Sequence, residues 1–256
     1  MRRAMIFGSG IVAALLVILP TLPSSAASPA SPASKDERDV PIPTPTQGKA
    51  APVTAAVPAA PVYKPPLRGA PGGRVGGGTR GTGNVFVLSA LAPDHTGVTA
   101  SEQPSLYWFI SSATSLPVEV AIMDPQGVKP LFESRLPGPF EKGVHRIDLA
   151  ELGVRLAPGV PYRWSVTVVP DPNRRSRDIL ATATIERIEL PDALRAKLPQ
   201  ASKSELPALY AEAGLWYEAL ATLSELIDRT PQDATLRQQR AALLSQVGLP
   251  DIGGTR

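Results

Sequence analysis

The chain has 256 residues, with 26 Lys and Arg against 23 Asp and Glu, 29 prolines, 21 glycines, two histidines and no cysteine. The missing cysteine excludes disulfides, thiol catalysis, cysteine-held zinc or iron–sulfur centres and a lipid-modified cysteine, so any fold must rest on its own core. A net charge of only +3 excludes a broadly basic surface, and no nucleic-acid partner is expected.

Residues 1–27 read as a secretory signal peptide. Arg2 and Arg3 form a positive start, Ile11 to Leu19 an apolar run, and Ser24-Ser25-Ala26 a small-residue cleavage site. The apolar run falls short of the roughly 20 residues a spanning helix needs, and Pro20 and Pro23 follow it. Membrane contact is therefore expected only during export, with the mature protein in the periplasm or outside the cell. The twin arginine lacks the rest of a folded-export motif, so export of an unfolded chain is expected. Cleavage removes two arginines and no acid, which lowers the net charge from +3 to +1.

Residues 28–62 are rich in Pro, Ala, Ser and Thr, without apolar periodicity, and read as a disordered linker. Residues 63–83, YKPPLRGAPGGRVGGGTRGTG, are different: Arg68, Arg74 and Arg80 stand six apart and no acid accompanies them. Three readings are open. The segment is an arm that docks on an anionic partner, a flexible basic lead-in, or an edge strand whose arginines bridge to Glu102, Glu119 or Glu133. The run Gly76-Gly77-Gly78-Thr79-Arg80-Gly81 fits G-x-G-x-x-G, but it has no strand before it and no helix after it, so it carries no dinucleotide site.

Residues 84–190 read as β. Strands are predicted at 85–92, 105–112, 118–124, 128–134, 143–149, 162–169 and 179–189, which suits an immunoglobulin-like sandwich. In the sixth, the even positions from Tyr162 to Val168 are apolar. In the seventh, Ala181, Ala183 and Ile185 share a face opposite Thr182, Thr184 and Glu186. The run Leu156-Ala157-Pro158-Gly159-Val160-Pro161-Tyr162 resembles the L-x-P-G-x-x-Y tyrosine corner of fibronectin type III and related sandwiches. Pro158, Gly159 and Tyr162 are therefore structural candidates. Trp108 and Trp164 read as core aromatics, against a reading in which they and Tyr107 stack on a ligand. The turn 171–178 offers Arg174, Arg175 and Arg177 to an anion, although Asp171-Pro172 and Asn173 also suit a plain turn.

Residues 191–249 read as helical, with helices predicted at 192–198, 203–213, 216–228 and 234–246; residues 250–256 read as a disordered tail. Gly214-Leu215 recurs as Gly248-Leu249 and Ala208-Leu209 as Ala242-Leu243, both 34 residues on. With Ala219, Leu223 and Pro231 between them, the segment resembles one and a half tetratricopeptide repeats. One such repeat cannot bury its own apolar face, so the helices dock on the sandwich, form a dimer or offer a groove.

His95 lies in a predicted turn and His145 on a strand surface. No serine sits on a nucleophile elbow beside either, and no ligand cluster accompanies them. The chain is thus read as non-enzymatic, with no cofactor and no metal.

Lys64 to Gly81, then Leu88-Ser-Ala-Leu-Ala-Pro93, Gly97-Val-Thr-Ala-Ser-Glu-Gln-Pro104, Tyr162-Arg-Trp164 and the Arg175-Ser176-Arg177-Asp178 turn together resemble an exported bacterial family, the "domain of unknown function 928". The likeness runs from Lys64 to Leu249. It implies architecture and export, and brings no activity, ligand or catalytic residue. Gln103 departs from an expected aromatic there. The functional expectation is a non-catalytic binding or scaffolding module of the envelope, with an envelope protein or an anionic glycan as partner. The alternative is a carbohydrate- or cell-wall-binding β-sandwich.

Overall fold

In a computed structural model of the chain, residues 59–66, 73–80, 85–127, 129–249 and Ile252 are described. The expected signal peptide, all of the linker before Ala59, Arg68 and the tail apart from Ile252 lie outside the described residues.

These residues form a mainly β body with a helical C-terminal part. The strands are β1 (Gly77–Arg80), β2 (Val85–Ala90), β3 (Gly97–Thr99), β4 (Ser105–Ile110), β5 (Val118–Met123), β6 (Pro130–Leu136), β7 (Gly143–Asp148), β8 (Pro161–Val168) and β9 (Ile179–Arg187). The helices are α1 (Asp192–Lys197), α2 (Leu206–Glu212), α3 (Trp216–Arg229) and α4 (Ala234–Ser245). One sheet has the order β1-β2-β4-β7 and the other β3-β9-β8-β5-β6. Every pairing is antiparallel except that of β3 with β9.

The alternation read from the sequence sets the register. Tyr162, Trp164, Val166 and Val168 of β8 are buried, and so are Ile179, Ala181, Ala183 and Ile185 of β9, while the residues between them are not. Successive side chains on a strand point to opposite faces, so an apolar residue at every second position lines one face. Leu88, Leu106, Trp108 and Ile110 from the first sheet meet Val120, Ile122, Trp164, Val166 and Ile185 from the second in one buried cluster.

Two strands are not among the seven predicted, although an edge strand was one of the readings open for the glycine-rich segment. β3 is only three residues long and follows Pro93-Asp94-His95, so its turn residues hide it. β1 lies inside the glycine-rich segment, where no periodicity exists to read. Its glycine has a packing reason: a Cβ on Gly77 would come within 2.5 Å of the Leu180 carbonyl oxygen and 2.9 Å of an Ile179 methyl. Only glycine lets the backbone pass that close. Val75 exchanges both backbone hydrogen bonds with Thr182 of β9 at 3.1 and 2.9 Å, and Gly77–Arg80 then pairs with β2 of the other sheet. The segment thus joins the two sheets along one side. Of the three readings open for it, pairing as an edge strand is the one found for Val75 and β1.

α3 places Trp216, Tyr217, Ala219, Leu220, Leu223 and Ile227 on its buried side, the three- and four-residue spacing of an amphipathic helix. These residues join the same cluster as the β core. α4 starts at Asp233, whose carboxylate accepts from the amides of Thr235 at 2.8 Å and Leu236 at 3.4 Å, an N-cap.

Candidate functional site

The helical part is fastened to the β body by polar clasps at the head of α3. Trp216 donates its indole N–H to the Leu91 carbonyl at 2.9 Å. Trp164 of β8 donates to the Tyr217 hydroxyl at 3.0 Å, and that hydroxyl donates to the Thr184 carbonyl of β9 at 3.3 Å. The Tyr217 ring slides against Gly97, where a Cβ would lie 2.9 Å from Cε2. Glu218 turns Oε1 toward the end of β3, accepting from the Thr99 hydroxyl at 2.6 Å and the amides of Ala100 and Ser101 at 2.7 and 3.0 Å. Burial pushes the Glu218 carboxyl above the usual carboxylate range, outweighing these three donors, which favour the charged form. Its Oε2 is buried without a partner.

Across α2, α3 and α4 runs an extended stretch of the chain's own residues, 59–66. The Gln246 side-chain amide reads its backbone on both sides of Val62: Nε2 donates to the Pro61 carbonyl at 2.9 Å, and Oε1 accepts from the Tyr63 amide at 2.8 Å. The Lys64 amide donates to the Ala211 carbonyl at 3.0 Å, at the end of α2. Tyr63 is 7% exposed. Its ring meets Trp216 edge-on at 5.0 Å and lies parallel to His95 at 6.0 Å, and its hydroxyl shares a hydrogen bond with His95 Nε2 at 3.0 Å. Asp94 holds the other ring nitrogen at 3.2 Å. Burial pushes the Tyr63 phenol up. Lys64 pairs with Glu212 at 2.8 Å. Gly214, at φ +78°, leaves room for this chain: a Cβ there would lie 2.8 Å from the Lys64 carbonyl oxygen. Beside the stretch a groove of about 750 Å³ continues, lined by Ala60, Val62, Gln200, Ser204, Ala208 and Gln239 among others.

A family model described as Domain of Unknown Function (DUF928) matches residues 75–255. The chain belongs to this family. The matched part of this DUF928 member contains the groove's helices, while the stretch 59–66 lies before it. No curated protein matches the chain. Among solved structures, one similar chain is that of Astrotactin-2, titled a vertebrate-specific, perforin-like membrane protein involved in neuronal development. It is 14% identical, with a TM-score of 0.28, over 66% of this chain and 33% of that one. The present chain therefore spans about a third of that structure's length.

The DUF928 member uses its predicted site residues unevenly. Arg74 is engaged within the chain: its guanidinium donates to the carbonyls of Ala92 at 2.8 Å, Val247 at 3.0 Å and Gly248 at 3.4 Å. This removes Arg74 from the docking role expected of it and makes it a tie between the β2–β3 connection and the end of α4. Burial lowers its pKa. The Arg80 backbone lies in β1. Two of the three acids proposed to receive the arm are engaged elsewhere: Glu119 with Arg175, and Glu102 with Arg155 at 2.9 Å. In the turn, Arg175 makes a two-pronged contact with Glu119 at 2.7 and 3.3 Å and pairs with Asp178 at 2.8 Å. Arg174 lies 3.8 Å from Asp171, and Arg177 is exposed. The three arginines do not converge on one anion position, because two face carboxylates of their own chain.

The aromatics are interior. Tyr107 is 4% exposed, and Trp108 and Trp164 are 0% exposed. None of the three is a stacking platform, which removes the motive for a carbohydrate site built on them. Burial pushes the Tyr107 phenol up to about 12. Tyr162 accepts from the Ala157 amide at 3.4 Å, and Gly159 takes φ +71° in the Pro158-Gly159 corner. Gly214 and Gly248 take φ +78° and +76° after their helices. Both histidines lie where the sequence places them, His95 in the bend before β3 and His145 on β7, but each has an aromatic partner that the sequence did not show. His95 packs on Tyr63 rather than standing in solvent, and His145 stacks on Trp108 at 4.6 Å while donating to the Glu141 carbonyl at 2.7 Å. Among the described residues no group of three or more His, Asp or Glu is placed to hold a metal ion, and no helix is long and apolar enough to cross a membrane. Sequence reasoning missed Tyr63, Glu218 and Gln246, whose partners lie far away along the chain. The one signal present was Tyr63 itself, a large aromatic at the edge of a Pro-rich stretch.

Proposed function

We propose that this DUF928 member is a non-catalytic binding or scaffolding module of a bacterial envelope. In this reading it is an immunoglobulin/fibronectin-type-III-like sandwich followed by one and a half tetratricopeptide-like repeats. The observation that carries the binding role is the stretch 59–66, whose backbone is hydrogen-bonded by Ala211 of α2 and by Gln246 after α4 while Tyr63 packs on Trp216 of α3, a mode of peptide recognition. The sandwich reading is supported by two sheets sharing one core and by the Tyr162 hydroxyl at the Pro158-Gly159 corner. The repeat reading is supported by the 34-residue offset between Gly214 and Gly248, which share one backbone conformation. Residues 1–27 support export to the periplasm or beyond.

The test expresses the tagged full chain in a Gram-negative host, sequences the N-terminus of the recovered protein, and crosslinks it in envelope extract. The expected result is a mature N-terminus near residue 28 in the envelope fraction and a specific crosslinked partner identified by mass spectrometry. An intact Met1 in the cytoplasm, or only non-specific capture, overturns the reading.

A further inference from the structure

We propose that the surface made by α2, the head of α3 and the end of α4 is a binding site for extended peptides of the pattern Pro-x-Tyr-Lys, filled here by the chain's own residues 61–64. The proposal deepens the binding reading above by naming the ligand class, and it rests on that reading of the helical part.

Three features make the surface a recognition site. First, it reads backbone: Gln246 satisfies one acceptor and one donor on either side of Val62, and Ala211 accepts from the following amide, that of Lys64. Such contacts hold any extended chain, and pockets for alternate side chains then choose the sequence. Second, those pockets alternate here. Pro61 and Tyr63 are buried while Val62 between them is 62% exposed. Tyr63 enters an aromatic socket of Trp216 and His95, with the hydroxyl on His95 Nε2 and Asp94 orienting the ring. A buried tyrosine whose hydroxyl finds a partner is a typical anchor. Third, Glu212 takes the following lysine, and Gly214 opens the end of α2 to the passing backbone. The groove beside Ala60 and Val62 leaves space for ligand residues before the proline.

The resident copy is tethered to the same chain. A tether of a few residues raises the local concentration to about the millimolar range, so an outside peptide must displace it. The site is therefore masked in cis, and a partner must match the same anchors to compete.

The experiment uses the full chain and a fluorescent peptide, AAPVYKPP, copied from residues 59–66. A Pro61→Ala/Tyr63→Ala variant removes the resident anchors while leaving the helical surface intact. By anisotropy this variant is expected to bind the peptide at least tenfold more tightly than wild type. Adding Gln246→Ala to it is expected to weaken binding at least tenfold, and a scrambled octapeptide is expected not to bind. No binding by the folded double variant, equal binding of the scrambled peptide, or indifference to Gln246→Ala overturns the proposal. Should the double variant not fold, hydrogen exchange on wild type decides. Excess peptide must speed exchange at the chain's own Tyr63 and Lys64 amides without affecting those of α3, and no acceleration overturns the proposal. The peptide assay needs no envelope partner. Peptide binding without envelope capture sinks the envelope role alone, and capture that persists without peptide binding sinks this site alone.

Discussion

The β body and its seam with the helical part share one apolar core but differ in how much they rely on directional polar contacts. Inside the β body, Val118, Val120, Ile122, Val166 and Val168 are fully or almost fully buried and contribute mainly by leaving water. Such packing tolerates exchange among side chains of similar volume. The seam with α3 shares that apolar core through Leu220 and Leu223 and adds single directional contacts: Trp216 on Leu91, Tyr217 between Trp164 and Thr184, and Glu218 on Thr99, Ala100 and Ser101. Removing one partner there leaves a buried donor or acceptor with no substitute, which costs more than the bond itself contributes. The core therefore decides whether the chain folds, and the seam decides how the helices sit upon it.

Trp164→Ala breaks both sides of this comparison, since the residue packs the core and holds Tyr217. It is expected to cost about 3–5 kcal/mol in urea unfolding, and a cost under about 1 kcal/mol would contradict the assigned packing. Glu218→Ala isolates the seam. Three donors at the end of β3 lose their acceptor, for an expected loss of roughly 2–3 kcal/mol.

Glu218→Gln separates shape from charge. The folded pKa of Glu218 is raised by burial, so the folded state holds its proton more tightly than the unfolded state does. Its favourable contribution is complete below the ordinary carboxylate range and is lost as pH rises through that range toward the raised folded value. Urea midpoints of wild type measured across this window should fall relative to those of Glu218→Gln, which keeps the acceptor but cannot ionise. Parallel pH profiles for the two proteins would show that Glu218 does not titrate with folding.

Arg74→Ala tests the tie between the β2–β3 connection and the end of α4. Three carbonyls lose a shared donor, and about 1–2 kcal/mol of stability is expected to go with it. The smallest effect is expected from Arg175→Ala. Arg175 is itself exposed on the turn, although Glu119 lies on β5; ion pairs of an exposed side chain contribute little, and the variant's thermal midpoint should match wild type within error. A clear drop would make the turn a structural lock.

Much of the body was legible because its signals are periodic. The seven predicted strands fall within two residues of those found, since alternation in β8 and β9 is local information. The helices were legible through the spacing on α3 and the recurrence of Gly214 at Gly248. β1 was not, because a glycine run has no side-chain pattern; its identity as a strand comes from how closely Leu180 approaches Gly77. The candidate site was less legible still. The arginines singled out for their spacing and clustering included three, Arg74, Arg174 and Arg175, that are engaged within the chain, while Tyr63 and Gln246, 183 residues apart, gave no joint signal.

By itself, then, the sequence determined the number and kind of most elements, the cysteine-free core and the corner at Tyr162, because these follow from neighbours a few residues apart. Only the tertiary structure decided that a glycine-rich segment closes the two sheets, that Arg74 faces inward and that the helices hold residues 61–64. Each of these depends on groups from distant parts of the chain meeting at hydrogen-bond distance, and no local pattern encodes such a meeting.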